Sequence, residues 1–148
     1  NKTTILAALA ATLSLTAPAL AQDVAAGEKQ FNKCKACHMI VADDGTEIQK
    51  GGKIGPNLYG VVGRVVGSRE DFAGYGDGIL LVKEKGLVWD EAMIAEYVKD
   101  PTKWLDANSG DPKARSKMAF KLAKGGEDVA AYLASVGPAP AEAAPASN

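Results

Sequence analysis

Five consecutive residues, Cys34-Lys35-Ala36-Cys37-His38, constrain this chain more than any other feature of its 148 residues. They contain both of its cysteines and its only histidine. At the end of a helix, two thiols three residues apart lie on one face. Such a pair can form a redox disulfide, contribute to a zinc site, or bond to the two vinyl groups on one edge of a haem. A thioredoxin-like C-x-x-C expects a βαβ surround, and no strand pattern precedes Cys34. A structural zinc site takes four cysteine or histidine ligands, and the whole chain has three. The full pattern is C-x-x-C-H, the spacing of covalent haem attachment, with His38 placed under the ring to bind iron.

Because His38 has no second histidine to accompany it, a bis-histidine iron is excluded within one chain. The other axial position falls to methionine, lysine, a weaker donor, or nothing. Met39 adjoins the histidine and cannot reach the far face of the ring. Met93 lies on the apolar stripe of a helix, where methionine usually fills core. Met118 sits in the loop Ser116-Lys117-Met118-Ala119-Phe120, far enough along the chain to close over the other face, and is the expected ligand. Imidazole with thioether raises the potential of the iron. With both axial sites filled, oxygen and peroxide are shut out, which points to an electron carrier and away from an enzyme. Two rival classes remain: a haem peroxidase or gas binder, which needs an open iron position, and a thiol oxidoreductase working through Cys34 and Cys37.

Residues 1–21 read as a secretory signal peptide: Lys2, an apolar run from Ile5 to Leu20, and the small-x-small end Ala19-Leu20-Ala21. That run includes Pro18 and is shorter than the roughly 20 residues a membrane span needs. Removal of the leader leaves 148 − 21 = 127 residues, enough for one domain, expected over 22–137. Asp23 is the expected N-cap of a helix from Val24 to about Lys35. A second helix is expected at Asp90 to Lys99, capped by Asp90 and stopped by Pro101, and a third at Glu127 to Val136. Residues 40–88 carry most of the 16 glycines and no convincing strand, and residues 101–124 also read as irregular. Long loops in a small domain are unusual unless they wrap something. From Pro138 to Asn148 the chain is Ala, Pro and Glu, a composition expected of a disordered tail. The result is a small all-α domain of three to five short helices with long loops around one haem. Its charge, 17 basic against 18 acidic residues, gives no sign of a nucleic-acid partner.

With Cys34, Cys37, His38 and Met118 in place, the chain resembles the class I cytochromes c of the soluble, periplasmic bacterial type, over nearly all of residues 22–137. Gly27 and Phe31 match N-terminal helix residues that, in the family, pack on the C-terminal helix, here through Tyr132 and Leu133. Gly55-Pro56-Asn57-Leu58-Tyr59-Gly60 matches the segment whose proline carbonyl accepts the imidazole N–H. The resemblance therefore implies that Pro56 orients His38. It implies that Arg64, Tyr75 and Trp89 hold the haem propionates, and that the Tyr97 hydroxyl approaches the methionine sulfur. The implied cofactor is one haem c and its iron, ligated by His38 and Met118. Val41 to Lys53 and Asp106 to Arg115 are longer than in the short mitochondrial pattern.

The resemblance also implies partners in the respiratory or photosynthetic chain: a cytochrome bc1 complex as donor, a terminal oxidase or reaction centre as acceptor, or a periplasmic dehydrogenase. Lys29, Lys33, Lys35, Lys53, Lys103, Lys117, Lys121 and Lys124 crowd the segments expected around the haem edge. Asp43, Asp44, Asp77, Asp90, Glu91 and Glu96 lie mostly elsewhere. Such a split makes a dipole even at a net charge of −1 and would steer the haem edge toward acidic docking sites. A monomer, touching membranes only peripherally, is expected.

Overall fold

The computed structural model describes residues 22–138. Helix α1, Val24–Phe31, starts where Asp23 turns its carboxylate back to accept the Ala26 amide at 3.0 Å. It is shorter than its sequence pattern suggests, because after Phe31 the chain tightens into consecutive turns through Cys37. The last helix among the described residues, α5, covers Gly126–Val136 and is the main partner of α1. Their contact depends on Gly27. A Cβ there would overlap the Asp128 carbonyl and lie 2.8 Å from the Cβ of Tyr132. Phe31, fully buried, meets the Tyr132 ring at 5.9 Å between centroids, and the Asp23 amide donates to Asp128 Oδ1 at 2.9 Å.

Helix α3, Glu91–Lys99, lies against the other side of α5 and begins with Asp90 accepting the Met93 amide at 2.7 Å. Three further elements depart from the sequence reading. Pro101 does not end the ordered chain; it occupies the first position of a new helix, α4, Pro101–Asn108. Proline suits that position because the first helical N–H has no intrahelical partner. Asp100 closes α3 and caps α4 by accepting the Lys103 amide at 3.1 Å.

Helix α2, Asp77–Glu84, lies within the glycine-rich stretch and has no side-chain cap, only Gly76 before it. The same stretch contains a small antiparallel hairpin, β1 Ile40–Val41 with β2 Glu47–Gln49, where no strand was expected. Strands of two and three residues are too short to display alternation. Gln49 anchors the hairpin to the helix pair by donating to the Tyr132 hydroxyl at 2.8 Å.

The expected all-α class therefore stands, with five helices among the described residues around a core that includes Phe31, Val66, Val82, Leu105 and Val129. No helix among the described residues is long and apolar enough to cross a membrane. The expected leader, residues 1–21, and the expected tail beyond Pro138 lie outside the described residues.

Candidate functional site

The helices and loops enclose an open cleft with about 1040 Å³ of atom-free space, mouth included, and mostly apolar walls. One wall grows from the end of α1. The turns Cys34 N–H to Phe31 O (2.8 Å), Cys37 N–H to Cys34 O (3.1 Å) and His38 N–H to Cys34 O (2.9 Å) bring the two thiols and the imidazole close together. Cys34 and His38 line the cleft; Cys37 stands on the adjoining turn. No disulfide joins the cysteines. Burial, with some help from Cys37, pushes the Cys34 thiol up to about 11. Thiol–disulfide catalysts need the opposite shift, toward thiolate. The surroundings of Cys34 thus do not favour the thiolate that the oxidoreductase reading requires.

His38 donates from Nδ1 to the carbonyl of Pro56 at 2.8 Å. A carbonyl can only accept, so the proton sits on Nδ1 and Nε2 retains its lone pair. Burial lowers the pKa of the ring, against the pull of the Pro56 bond, and so favours the neutral form that a metal ligand must take. The bond matches the role implied for Pro56. Gly55 forms the bed of the ring, since a Cβ on it would meet the imidazole atoms.

A second wall is the segment 116–118. The Ser116 hydroxyl accepts the Met118 amide at 3.1 Å and lies 3.3 Å from the Tyr97 hydroxyl, while the Ser116 amide donates to Thr102 Oγ1 at 3.3 Å. The Leu122 amide donates to the carbonyl of Val98 at 2.7 Å, tying the far side of the loop to α3. Lys117 reaches across to donate to the carbonyls of Gly74 and Tyr75 at 3.2 and 3.4 Å. Met118 lines the cleft, whereas Met93 packs against the core and Met39 borders a separate cleft beside the hairpin. Tyr97 also lines the cleft, and its hydroxyl is held by Ser116.

The polar residues Arg64, Tyr75 and Trp89 line this same cleft. Residues 63–66 and 87–89 pair back to back: Gly63 N–H to Trp89 O (2.7 Å), Trp89 N–H to Arg64 O (2.9 Å) and Val66 N–H to Leu87 O (2.8 Å). That pairing sets Arg64 beside Trp89. Trp89 stacks on Trp104 with centroids 5.0 Å apart, and Tyr97 meets both rings edge-on. The Arg64 guanidinium is half-buried, yet among the described residues its one hydrogen bond goes to the Asn57 carbonyl at 3.4 Å and it makes no ion pair. A cation so placed calls for an anion. Burial raises the pKa of the Tyr75 phenol, keeping it a protonated donor.

An imidazole lone pair, a thioether, two thiols three residues apart on consecutive turns, apolar walls, and a cation lacking its anion together fit a haem with its two carboxylates. Four features of the site were not read from the sequence. Ser116 as the holder of Met118 was signalled only by a serine two residues ahead of the methionine, a position from which hydroxyls commonly bond the backbone. Gly55 as the bed of His38, Lys117 as a tie across the cleft, and Arg69, described below, had no sequence signal of their own.

No protein-family model matches the chain. It is 61% identical over 150 residues to cytochrome c-550 of Paracoccus versutus, covering 98% of this chain and 96% of that one. It is 59% identical over 135 residues to cytochrome c2 of Rhodobacter capsulatus, covering 91% of this chain and 98% of that one. The X-ray structure of ferric cytochrome c-550 from Paracoccus versutus superposes with a TM-score of 0.75 at 60% sequence identity, over 78% of this chain and 98% of that chain.

Proposed function

Since this chain belongs to the class I cytochromes c, in the group of cytochromes c2 and c-550, we infer that its iron is held by His38 on one side and Met118 on the other. The chain is an electron carrier, not an enzyme, and its cofactor is one covalent haem c on Cys34 and Cys37. Bound there, the haem supplies an iron that gains and loses a single electron.

The protein's own residues do the rest. Pro56 holds the His38 proton on Nδ1, which directs the Nε2 lone pair to the metal and makes it a stronger donor. Ser116 and Lys117 secure the chain leading into Met118, and the Leu122 amide ties the loop beyond it to α3, so the thioether needs little rearrangement between the two charge states. Met118 brings no charge, and the apolar walls disfavour the extra positive charge of ferric iron, so both favour a high potential. Arg64, Tyr75 and Trp89 hold the two haem carboxylates, which would otherwise lie as unpaired charges in an apolar cleft. Tyr97, through Ser116, tunes the methionine side.

The observation that carries this reading is that Met118, 118 − 38 = 80 residues beyond His38, lines the same cleft while Met39 and Met93 do not. Replacing Met118 with Leu is expected to change the oxidised optical spectrum and lower the midpoint potential. Met93→Leu is expected to leave both as they were. The reverse pattern would remove Met118 from the iron.

The carrier works in the periplasm, to which the leader at residues 1–21 sends it, between membrane or periplasmic redox proteins. A cytochrome bc1 complex or dehydrogenase would donate, and a terminal oxidase or reaction centre would accept. Docking uses the lysines: Lys29, Lys33, Lys53, Lys103, Lys117, Lys121 and Lys124 are exposed, and Lys35 is half-buried. Exposed cations around a redox site speed association with an acidic partner toward about 10⁸ to 10⁹ M⁻¹s⁻¹ at low salt. Electron-transfer rates with an acidic membrane redox complex should fall as ionic strength rises. A flat response would eliminate steering by this set of charges.

A further inference from the structure

Arg69 uses its backbone and its side chain to hold one turn. Its guanidinium forks onto Asp71, Nε to Oδ1 at 2.7 Å and Nη2 to Oδ2 at 3.0 Å. A second amino group, Nη1, lies 3.6 Å from Asp43 Oδ1, in the turn between β1 and β2. The Arg69 carbonyl accepts the Phe72 amide at 3.3 Å, and the Arg69 amide donates to the Tyr75 hydroxyl oxygen, also at 3.3 Å. The Phe72 ring meets the Tyr75 ring edge-on, with centroids 5.0 Å apart. Although both acids are mostly exposed, at 79% and 58%, the arginine side chain is only 19% exposed, so its place is well defined by packing.

A phenolic oxygen that accepts one hydrogen bond from a fixed amide has its own proton left to give elsewhere. We propose that Arg69 is a positioning residue for Tyr75: the fork to Asp71 and the reach to Asp43 hold the Arg69 amide on the phenol oxygen, so that the hydroxyl proton points to a haem carboxylate. Through Asp43, the extended hairpin thereby acts on the electrostatics of the haem site. The hairpin has a second route to the same place. The Asn57 side chain bonds both the amide and the carbonyl of Val41, at 3.1 and 2.7 Å, and the Asn57 backbone carbonyl accepts from Arg64. The inference rests on Tyr75 being a holder of a haem carboxylate, and the test separates the two claims.

The measurement is the midpoint potential of the haem-loaded protein for Arg69→Lys, Tyr75→Phe and the double variant. Lysine keeps the charge but cannot form the two-pronged contact. A donor lost from a carboxylate leaves more negative charge near the iron and favours the ferric state, so each single variant is expected to have a lower potential. In the Tyr75→Phe background, Arg69→Lys is expected to add no further shift, because the hydroxyl it positions is gone. Equal shifts in the two backgrounds, or no shift from Arg69→Lys alone, would overturn the proposal. An unchanged potential in Tyr75→Phe would overturn the carboxylate reading of Tyr75 itself. If Arg69→Lys yields no haem-loaded protein, Asp71→Asn opens the same fork from its other side. On charge alone Asp71→Asn would raise the potential. A fall that vanishes in the Tyr75→Phe background supports the positioning role, and a rise in both backgrounds refutes it.

Discussion

Gly55 lies so close beneath the imidazole of His38 that a methyl group on it would sit 2.7 Å from Nδ1 and 2.8 Å from Nε2. The ring could escape only by rotating away from Pro56, whose carbonyl holds Nδ1 at 2.8 Å. Gly55→Ala should therefore cost about 1–3 kcal/mol, the usual range for overpacking a tight site. The midpoint potential should shift with it, because the strength of the imidazole as a donor depends on that bond. Denaturant unfolding and redox titration of the same sample would check both. An alanine variant with wild-type stability and potential would show that the ring is not confined there.

The α1–α5 contact gives a prediction in which two effects compete. Within a helix, Gly→Ala is favoured by roughly 1 kcal/mol from backbone propensity. At Gly27 the added Cβ would run into the Asp128 carbonyl, part of a backbone that cannot step aside cheaply, and would press on Tyr132. The clash should win, leaving a net loss on the order of 1–2 kcal/mol. The expected result is a lower denaturation midpoint with an unchanged slope.

Asp100 links the start of α4 to Lys121 in the loop that carries Met118. Its carboxylate accepts from Lys121 Nζ at 2.7 Å and from the Lys103 amide at 3.1 Å, and these two bonds, the lysine first, hold its pKa below the usual carboxylate range. A pKa depressed in the fold contributes stability above the unfolded value, and that contribution is lost as pH falls through the folded value. Thermal unfolding followed from neutral pH downward should show less acid destabilisation in Asp100→Asn than in the wild type. Parallel curves would mean that the pair carries no pH dependence.

Lys117 ties the Met118 segment to the Gly74–Tyr75 turn by two exposed hydrogen bonds, which together contribute about 1 kcal/mol or less. Lys117→Ala should barely alter global unfolding. It should, however, speed amide hydrogen exchange around residues 74–76 and, with Met118 on the iron as proposed, lower the denaturant concentration at which the oxidised spectrum changes. Unchanged exchange would show that the two loops hold their places independently.

How far the sequence could be read follows from the reach of each signal. Helices α1, α3 and α5 show apolar spacing, and α1 and α3 begin at Asp23 and Asp90, whose carboxylates bond back to the helix. Helix α2 has Gly76 in place of a side-chain cap and gave no such mark. Helix α4 was hidden by Pro101, since the same residue that breaks a helix also suits its first position. The hairpin was too short for alternation to register. At the site, the C-x-x-C-H spacing is local and was legible outright. Met118 stood out as the candidate ligand because His38 has no rival histidine and the other methionines are badly placed, and of the three it is the one that lines the cleft. Arg64, Tyr75 and Trp89 came from resemblance alone, because what brings them together is the backbone pairing of residues 63–66 with 87–89. Arg69 and Ser116 act through bonds to distant backbone and hydroxyl groups, for which local composition has no marker.

The clasp between α1 and α5 also sets an order in time. A chain made from its amino end presents Cys34, Cys37 and His38 first, and Gly126 only 126 − 37 = 89 residues after Cys37. Until that late segment arrives, Gly27 and Phe31 have no surface to grip, and the turns that follow them hang from an unsupported helix. The haem-attachment motif thus precedes by most of the chain the helix that braces it.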